Sequence, residues 1–414
     1  MSSLIVPTSS ATPLFFPTEI DDQILDLCEG DEDTLRSCSL VCKMWNPRAR
    51  SHLFKTIRLN QRNYKAFLEL LRRPTSTPVS RYVKHLYLSE GEPPQTLSWG
   101  DKTLSMLSTY LAGHLASLKL SHITFSDSSV HFEGSDAMTF SEVQKSSKGF
   151  KSITVLSLKY PNNRDITLIP ELLCSFPLLE EMDLAAGHVY GDAEEWSRQQ
   201  CHLAPSVTRL TLRIQDSNLF QWFLRQPCLP NVRRLEVLYY GYNALDVVPV
   251  LLWKIGATLQ HLILDLPKNL LFDRNPNPPA ASIAHNSNLQ QLEIFLSQFT
   301  NETYKDKCTD LLQFFSAIPL RVRDHIEEIK LYMITAYAGE FDPDVEIHLG
   351  AVISSCRSFP NLKFIILKLH HDPRLDIRPT KTSLLRGMEH YVESGFIVVE
   401  EGNYAQDWEK DMCT

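Results

Sequence analysis

The side chains most capable of chemistry in this sequence are scattered, and their spacing argues against an active site. Cys38 and Cys42 lie one helical turn apart, as the first half of a metal-binding pattern would, but no second cysteine pair or histidine follows at ligand spacing. His370, His371 and Asp372 form the densest polar group. Neighbours on an extended chain point to opposite sides, so these three read as a solvated turn. There is no glycine-rich phosphate loop, nucleophile elbow or His-Glu-x-x-His motif. Asn301-Glu302-Thr303 fits the glycosylation pattern, which a reducing compartment leaves unused. The expectation is a chain that is not an enzyme and holds no cofactor and no metal. An enzyme whose site is built from the longer inserts is the alternative from another class.

What remains is chemistry of recognition. Arg209, Arg213 and Arg234 come from adjacent segments and have two readings. They converge into a cationic patch able to hold a carboxylate or phosphate in bidentate fashion, or they are neutralised by Glu236 or Asp183. Tyr239, Tyr240 and Tyr242 follow as aromatic anchors of the kind found at binding hot spots. Tyr87 and Lys119 occupy outward places earlier in the chain.

The elements that position these residues repeat. A six-residue frame has apolar residues at its first, fourth and sixth places: Phe54/Ile57/Leu59, Val83/Leu86/Leu88, Leu115/Leu118/Leu120, Ile153/Leu156/Leu158, Leu179/Met182/Leu184 and Val207/Leu210/Leu212. Val232/Leu235/Val237, Leu259/Leu262/Leu264, Leu289/Leu292/Ile294, Ile326/Ile329/Leu331 and Leu362/Ile365/Leu367 complete eleven frames, with starts 25 to 38 residues apart. That period belongs to leucine-rich repeats. Within a frame the fourth and sixth places share one face of a short strand and the fifth takes the other. Between frames the spacing turns helical, over 64–71, 103–111, 166–174, 219–224, 244–255, 311–318, 347–355 and 383–392. A single strand-turn-helix unit cannot bury its own apolar side, so neighbours stack into a curved solenoid with a parallel sheet on the concave face and helices on the convex face. The usual Asn or Cys after each frame is largely missing, which makes a regular internal hydrogen-bond ladder doubtful. Inserts at 126–149, 187–200 and 272–279 read as loops. The competing fold is a compact, doubly wound α/β domain.

Ahead of the repeats, Ile20, Ile24 and Leu27 recur at i, i+4 and i+7 among acids, one apolar stripe on a helix that Pro17 opens. Asp31, Glu32 and Asp33 cap a second helix, with helical spacing from Leu35 through Val41 to Trp45 and Pro47 limiting or kinking it. A third short helix runs from Arg48 to Phe54. Three helices in about 40 residues supply too little apolar material for an independent core, so a partner should cover them. A helical hairpin that merely closes the solenoid, with Trp45 as ordinary core, is the bland alternative.

This stretch, from Pro17-Thr18-Glu19-Ile20 through Ser39-Leu40-Val41-Cys42-Lys43-Met44-Trp45 to His52-Leu53-Phe54, resembles an F-box, and its wording is most similar to the expanded F-box families of filamentous and mushroom-forming fungi. The resemblance covers roughly a tenth of the chain. It implies docking to a Skp-type adaptor and through it to a cullin, with the chain as substrate receptor of an SCF ubiquitin ligase. The adaptor-facing positions it implies are Phe16, Pro17, Ile20, Ile24, Leu40, Val41, Cys42, Lys43 and Trp45. The chain departs from the family at Phe16, usually Leu, and in its acidic loop 30–34, which lacks the common Pro. A repeat scaffold without any role in ubiquitin transfer is the alternative function.

Composition narrows the rest. The chain is 43% hydrophobic yet has no apolar run near the ~20 residues of a membrane span. Residues 1–12 lack the basic start and apolar core of a signal peptide. Nine scattered cysteines, an odd number, read as reduced thiols in cytoplasm or nucleus. A net charge of −8 disfavours general nucleic-acid binding. The expected organisation is a tail at 1–12, an F-box-like helical domain at 13–53, an irregular solenoid at 54–395 and a C-terminal cap and tail at 396–414, with a protein as partner and neither nucleic acid nor membrane.

Overall fold

The computed structural model describes residues 17–73, 77–89, 100–121, 125–126, 138–139, 149–159, 168–186, 202–214, 217–226, 229, 231–238, 247–265, 283–296, 304–335, 343–371, 378–386 and 388–403. Phe16, Tyr239, Tyr240, Tyr242, Asp372, the 301–303 tripeptide, the 1–12 tail and most of the three inserts lie outside them.

The chain opens with three helices, α1 (Thr18–Leu27), α2 (Glu32–Val41) and α3 (Trp45–Leu53). Gly30, at φ 97°, makes the turn after α1 that a side chain would strain. Asp31 then caps α2 by accepting from the Thr34 N–H at 3.0 Å and the Thr34 hydroxyl at 2.7 Å. Two expectations need correction. Trp45 does not end α2, because Cys42 adopts an extended backbone (φ −154°, ψ 166°) that stops it, and Trp45 instead begins α3. Pro47 accordingly sits in the first turn of α3, where its missing N–H has no helical acceptor to lose.

Twelve strands follow in one all-parallel sheet whose spatial order equals chain order. They are β1 (Thr56–Leu59), β2 (His85–Ser89), β3 (Ser117–Ser121), β4 (Val155–Lys159), β5 (Glu181–Ala186) and β6 (Arg209–Ile214). The second half comprises β7 (Arg234–Val237), β8 (His261–Asp265), β9 (Gln291–Leu296), β10 (Glu328–Thr335), β11 (Phe364–His371) and β12 (Ile397–Asn403). A doubly wound domain requires the strand order to reverse at a switch point, and here it never does. Helices precede or separate the strands: α4 (Tyr64–Arg72), α5 (Thr77–Tyr82), α6 (Gly100–Tyr110), α7 (Leu168–Cys174), α8 (Ser217–Arg225) and α9 (Val247–Ile255). Then come α10 (Tyr304–Ala317), α11 (Leu320–Arg323), α12 (Pro343–Cys356), α13 (Arg378–Arg386) and α14 (Glu389–Glu393). The last two replace the single helix expected over 383–392.

The register follows the frames. Fourth-place residues align in one row from Ile57 through Leu86, Leu118, Leu156, Met182, Leu210, Leu235, Leu262, Leu292 and Ile329 to Ile365. From Leu86 to Ile365 that row is buried, part of one continuous core with the aromatic rings of Phe220, Trp222, Phe223, Phe314 and Phe315. β12 extends the array past the eleven frames, within the stretch expected to cap it. Ile397 pairs with Ile365 and Val399 with Leu367, but Ser394 occupies the first place, so the pattern fades there.

The missing Asn or Cys ladder has a backbone substitute. The N–H at the second place of each frame donates to the second-place carbonyl of the frame before, from Ala116 to Lys84 and Thr154 to Ala116 onward to Lys363 and Glu327, at 2.8–2.9 Å. Side chains one residue ahead of a frame add stitches between repeats: Ser152 donates to the Leu115 carbonyl and Ser206 to that of Leu179, both at 2.7 Å. Phe125–Ser126, at the start of the 126–149 insert expected as loop, and Met138–Thr139 within it form a short parallel pair.

Candidate functional site

Two surfaces carry the residues singled out above. The first is the helical end. Its buried core is only Leu25, Leu35 and Ala49, with Trp45, Leu53, Cys28 and Cys38 packed around them. The apolar stripe of α1 does not point into that core: Ile20, Ile24 and Leu27 are all exposed, Leu27 by 87%. Leu40 and Val41 at the end of α2 are 85% and 65% exposed, and Met44 in the following turn is also exposed. Pro17, Cys42 and Lys43 lie at the surface as well, so of the described positions that the resemblance assigns to the adaptor only Trp45 is partly buried. The resemblance does not assign Leu27 or Met44, which the structure adds to the exposed set.

A cluster of charged groups joins α1 to α3 beside that small core. Arg48 on α3 grips the Asp26 carboxylate of α1 with two bonds of 2.7 and 2.6 Å, and His52 Nε2 approaches the same carboxylate at 2.8 Å. The Arg48 and His52 hydrogen bonds hold the Asp26 carboxyl down at about 2. Beyond it, Glu29 pairs with Lys55 just ahead of β1, and that contact lowers the Glu29 carboxyl. Phe54 and Ile57 pack against the large core, so the helical end passes into the repeats without a linker.

The second surface is the sheet face opposite the helices, the open face, formed by the first, third and fifth residues of strands such as β2. From β4 to β10 several of its charges lie against one another. Lys159 and Arg213 flank Asp183 at 3.7 and 3.9 Å, and Arg213 Nη2 donates to Glu236 at 3.0 Å. Burial pushes the Glu236 carboxyl up against the pull of Arg213. Arg209, exposed, pairs with Glu181 at 3.1 Å, and Arg234 contacts His261 Nδ1 at 3.2 Å. The three arginines therefore sit in separate contacts, each with its own neighbour, and Arg213 is buried. Glu236 and Asp183, the two carboxylates weighed above, both meet Arg213, whereas Arg209 meets Glu181 and Arg234 meets His261.

Further along, Arg234, His261, Glu293, Lys330 and Tyr332 form a relay over β7 to β10. The Arg234 donor at Nδ1 leaves His261 its proton on Nε2, which donates to Glu293 at 2.8 Å. Tyr332 and Lys330 complete the Glu293 carboxylate at 2.7 and 3.1 Å. Burial alone would raise this carboxyl, but the His261 and Tyr332 hydrogen bonds and the Lys330 charge outweigh it and hold the group at about 2. Tyr332 also stacks on Phe295, ring centroids 4.1 Å apart. No local sequence signal marks this relay, since its members come from four repeats.

Among the described residues there is no group of three potential metal ligands, and no helix is long and apolar enough to cross a membrane. Cys308 and Cys356 are buried in the core, and burial pushes both thiols up to about 12. His370 and His371 lie at the end of β11.

No protein-family profile and no curated protein matches the sequence. Among solved structures, the chain is similar to a chain of the yeast Rad7–Elc1 complex, at 13% identity over 87% of this chain and 91% of that one, with a TM-score of 0.36. It is also similar to an internalin from Listeria monocytogenes, at 11% identity over 91% and 97% and a TM-score of 0.32. With both scores under 0.5, the leucine-rich-repeat-like architecture rests on the parallel sheet and register of this chain itself.

Proposed function

We propose that the chain is a non-catalytic receptor, docking through α1–α3 onto a Skp-type adaptor of a cullin ubiquitin ligase and holding a target protein on the open face of its repeats. The observation that carries this reading is the inverted burial of the helical end. Three side chains are buried while Ile20, Ile24, Leu27, Leu40, Val41 and Met44 face solvent. Covering an apolar side chain of this size yields about 1.5–3 kcal/mol, enough across such a set to drive docking. The F-box resemblance names the partner, because its adaptor-facing positions coincide with most of the exposed set. A receptor of this kind contributes no chemistry; it removes the entropic cost of bringing target and conjugating enzyme together.

A broader reading needs only the open face: a repeat scaffold that binds protein, with no ubiquitin role. Co-purification with the adaptor separates the two. Ile20→Asp with Leu40→Asp is the suitable variant, since both side chains are exposed and the fold does not depend on them. Stable one-to-one binding by the wild type that the variant loses supports the receptor. A wild type that folds and ignores the adaptor leaves the scaffold.

A further inference from the structure

On the open face, Arg58 and Lys119 lie 5.4 and 4.9 Å from the Tyr87 ring centroid, in one row across β1 to β3. The other side of the sheet, where the helices lie, has a feature of its own. Outward places are polar on α4, which exposes Lys65, Glu69 and Arg72, and on α10, which exposes Lys305, Asp306 and Gln313. α9 departs from that pattern. Its Leu251, Leu252 and Ile255 are buried, while Val250 and Trp253, one turn apart on the opposite face, are 39% and 58% exposed.

Trp253 has exposed neighbours on both flanks. Its indole meets the His285 ring edge-on, with centroids 6.4 Å apart. His285 ends a single helical turn, Ile283–His285, that contacts both α9 and α11. α11 begins with Leu320, 71% exposed, and continues with Arg321. On the other flank Lys254 donates to the Gln226 carbonyl at 2.8 Å, which brings the end of α8, with Arg225, beside α9. Arg225 and Arg321 are exposed and, among the described residues, pair with no carboxylate.

The apolar area decides what can sit there. Val250, Trp253 and Leu320 leave on the order of 300 Å² in water. Each side of a stable interface covers about 800 Å², so this patch is too small to hold a second copy of the chain. Two chains of net charge −8 also repel, and the same charge opposes an anionic lipid surface. One amphipathic helix, anchored by two or three apolar side chains, has the matching size. The arginines beside the anchors favour acids on its polar face.

We infer that the outward face of α9, centred on Trp253, is a docking site for an acidic amphipathic helix of a partner protein. The site lies across the sheet from the open face and does not depend on the receptor reading. Both faces can be occupied at once.

The test is fluorescence anisotropy of the full chain with three labelled helical peptides: one with a leucine stripe and Glu elsewhere, one with the same stripe and Lys elsewhere, and one with the Glu residues kept and the stripe changed to Ser. Binding of the first and not of the other two is expected. Trp253→Asp should weaken it at least tenfold and the milder Trp253→Ser less, while Ile347→Asp, equally exposed on α12, should leave it unchanged. Arg225→Glu with Arg321→Glu should weaken binding several-fold and flatten its dependence on salt. Far-UV circular dichroism checks that the variants fold. No binding of the acidic peptide, equal binding of the acidic and basic peptides, or binding unchanged in both Trp253 variants would overturn the assignment. So would tighter binding to phosphatidylserine vesicles than to the peptide, or a dimer in analytical ultracentrifugation that Trp253→Asp abolishes.

Discussion

Replacing Glu293 by Gln removes the charge at the centre of the open-face relay while keeping its shape. The carboxyl lies at about 2 against an ordinary 4.5, so its charged form is favoured in the fold by about 3 kcal/mol. Glu293 is buried, so solvent screening takes little from that figure. Because the folded-state pKa is the lower one, the unfolded chain binds the proton first on acidification. The stabilisation is whole above about pH 4.5 and is lost as the pH falls towards 2, leaving about 1.4 kcal/mol at pH 3. Gln also takes from Lys330 one of its two carboxylates and keeps an acceptor oxygen for only one of His261 and Tyr332. Urea unfolding of wild type and Glu293→Gln, followed by far-UV circular dichroism at pH 7 and pH 3, measures both quantities. The variant should be less stable by about 3 kcal/mol at pH 7 and by roughly half that at pH 3. A deficit below about 1 kcal/mol at pH 7, or one that does not shrink at pH 3, would show that the relay does not act through this carboxylate.

Three further outcomes are expected. Asn286→Ala removes the amide that donates to the Leu252 and Gly256 carbonyls at 3.0 and 2.7 Å, and should cost about 2 kcal/mol in urea unfolding. Iodoacetamide at pH 8 should label exposed Cys42 in the native chain, with Cys308 and Cys356 reacting only after unfolding because burial holds both as thiols, as peptide mass mapping would reveal. Asp26→Ala opens the clasp between α1 and α3, so limited proteolysis should cut within residues 18–53 sooner while the repeat array survives. In the wild type the same cutting should accelerate only as the pH falls towards 2, where Asp26 takes up its proton.

Much of the fold was legible in the sequence because strand frames are local. Apolar residues at the fourth and sixth places specify one face of a strand, and a recurrence of 25 to 38 residues leaves a neighbouring repeat as the natural place to bury it. That logic determined eleven of the strands, their parallel stacking and the row from Ile57 to Ile365. It stopped at β12, where Ser394 breaks the frame but pairing with β11 continues. The cap at Asp31 was legible for the same local reason.

Contacts between distant residues were not. Periodicity on α1 identified the Ile20, Ile24, Leu27 stripe but not the direction it faces; Leu25 packs inward on Leu35 and Ala49, and Arg48 clasps the adjacent Asp26. The extended backbone at Cys42 transferred Trp45 to α3, a matter of two dihedral angles that apolar spacing does not encode. On the open face the sequence supplied the arginines, while cross-strand register decided that Arg213 meets Glu236 and Arg58 meets Tyr87. Apolar pattern along the chain is enough to determine which residues the repeat strands bury. Cross-strand polar contacts on the open face, such as Arg213 with Glu236 and Tyr332 with Glu293, join residues 23 and 39 positions apart, and only the stacking of whole repeats brings those together.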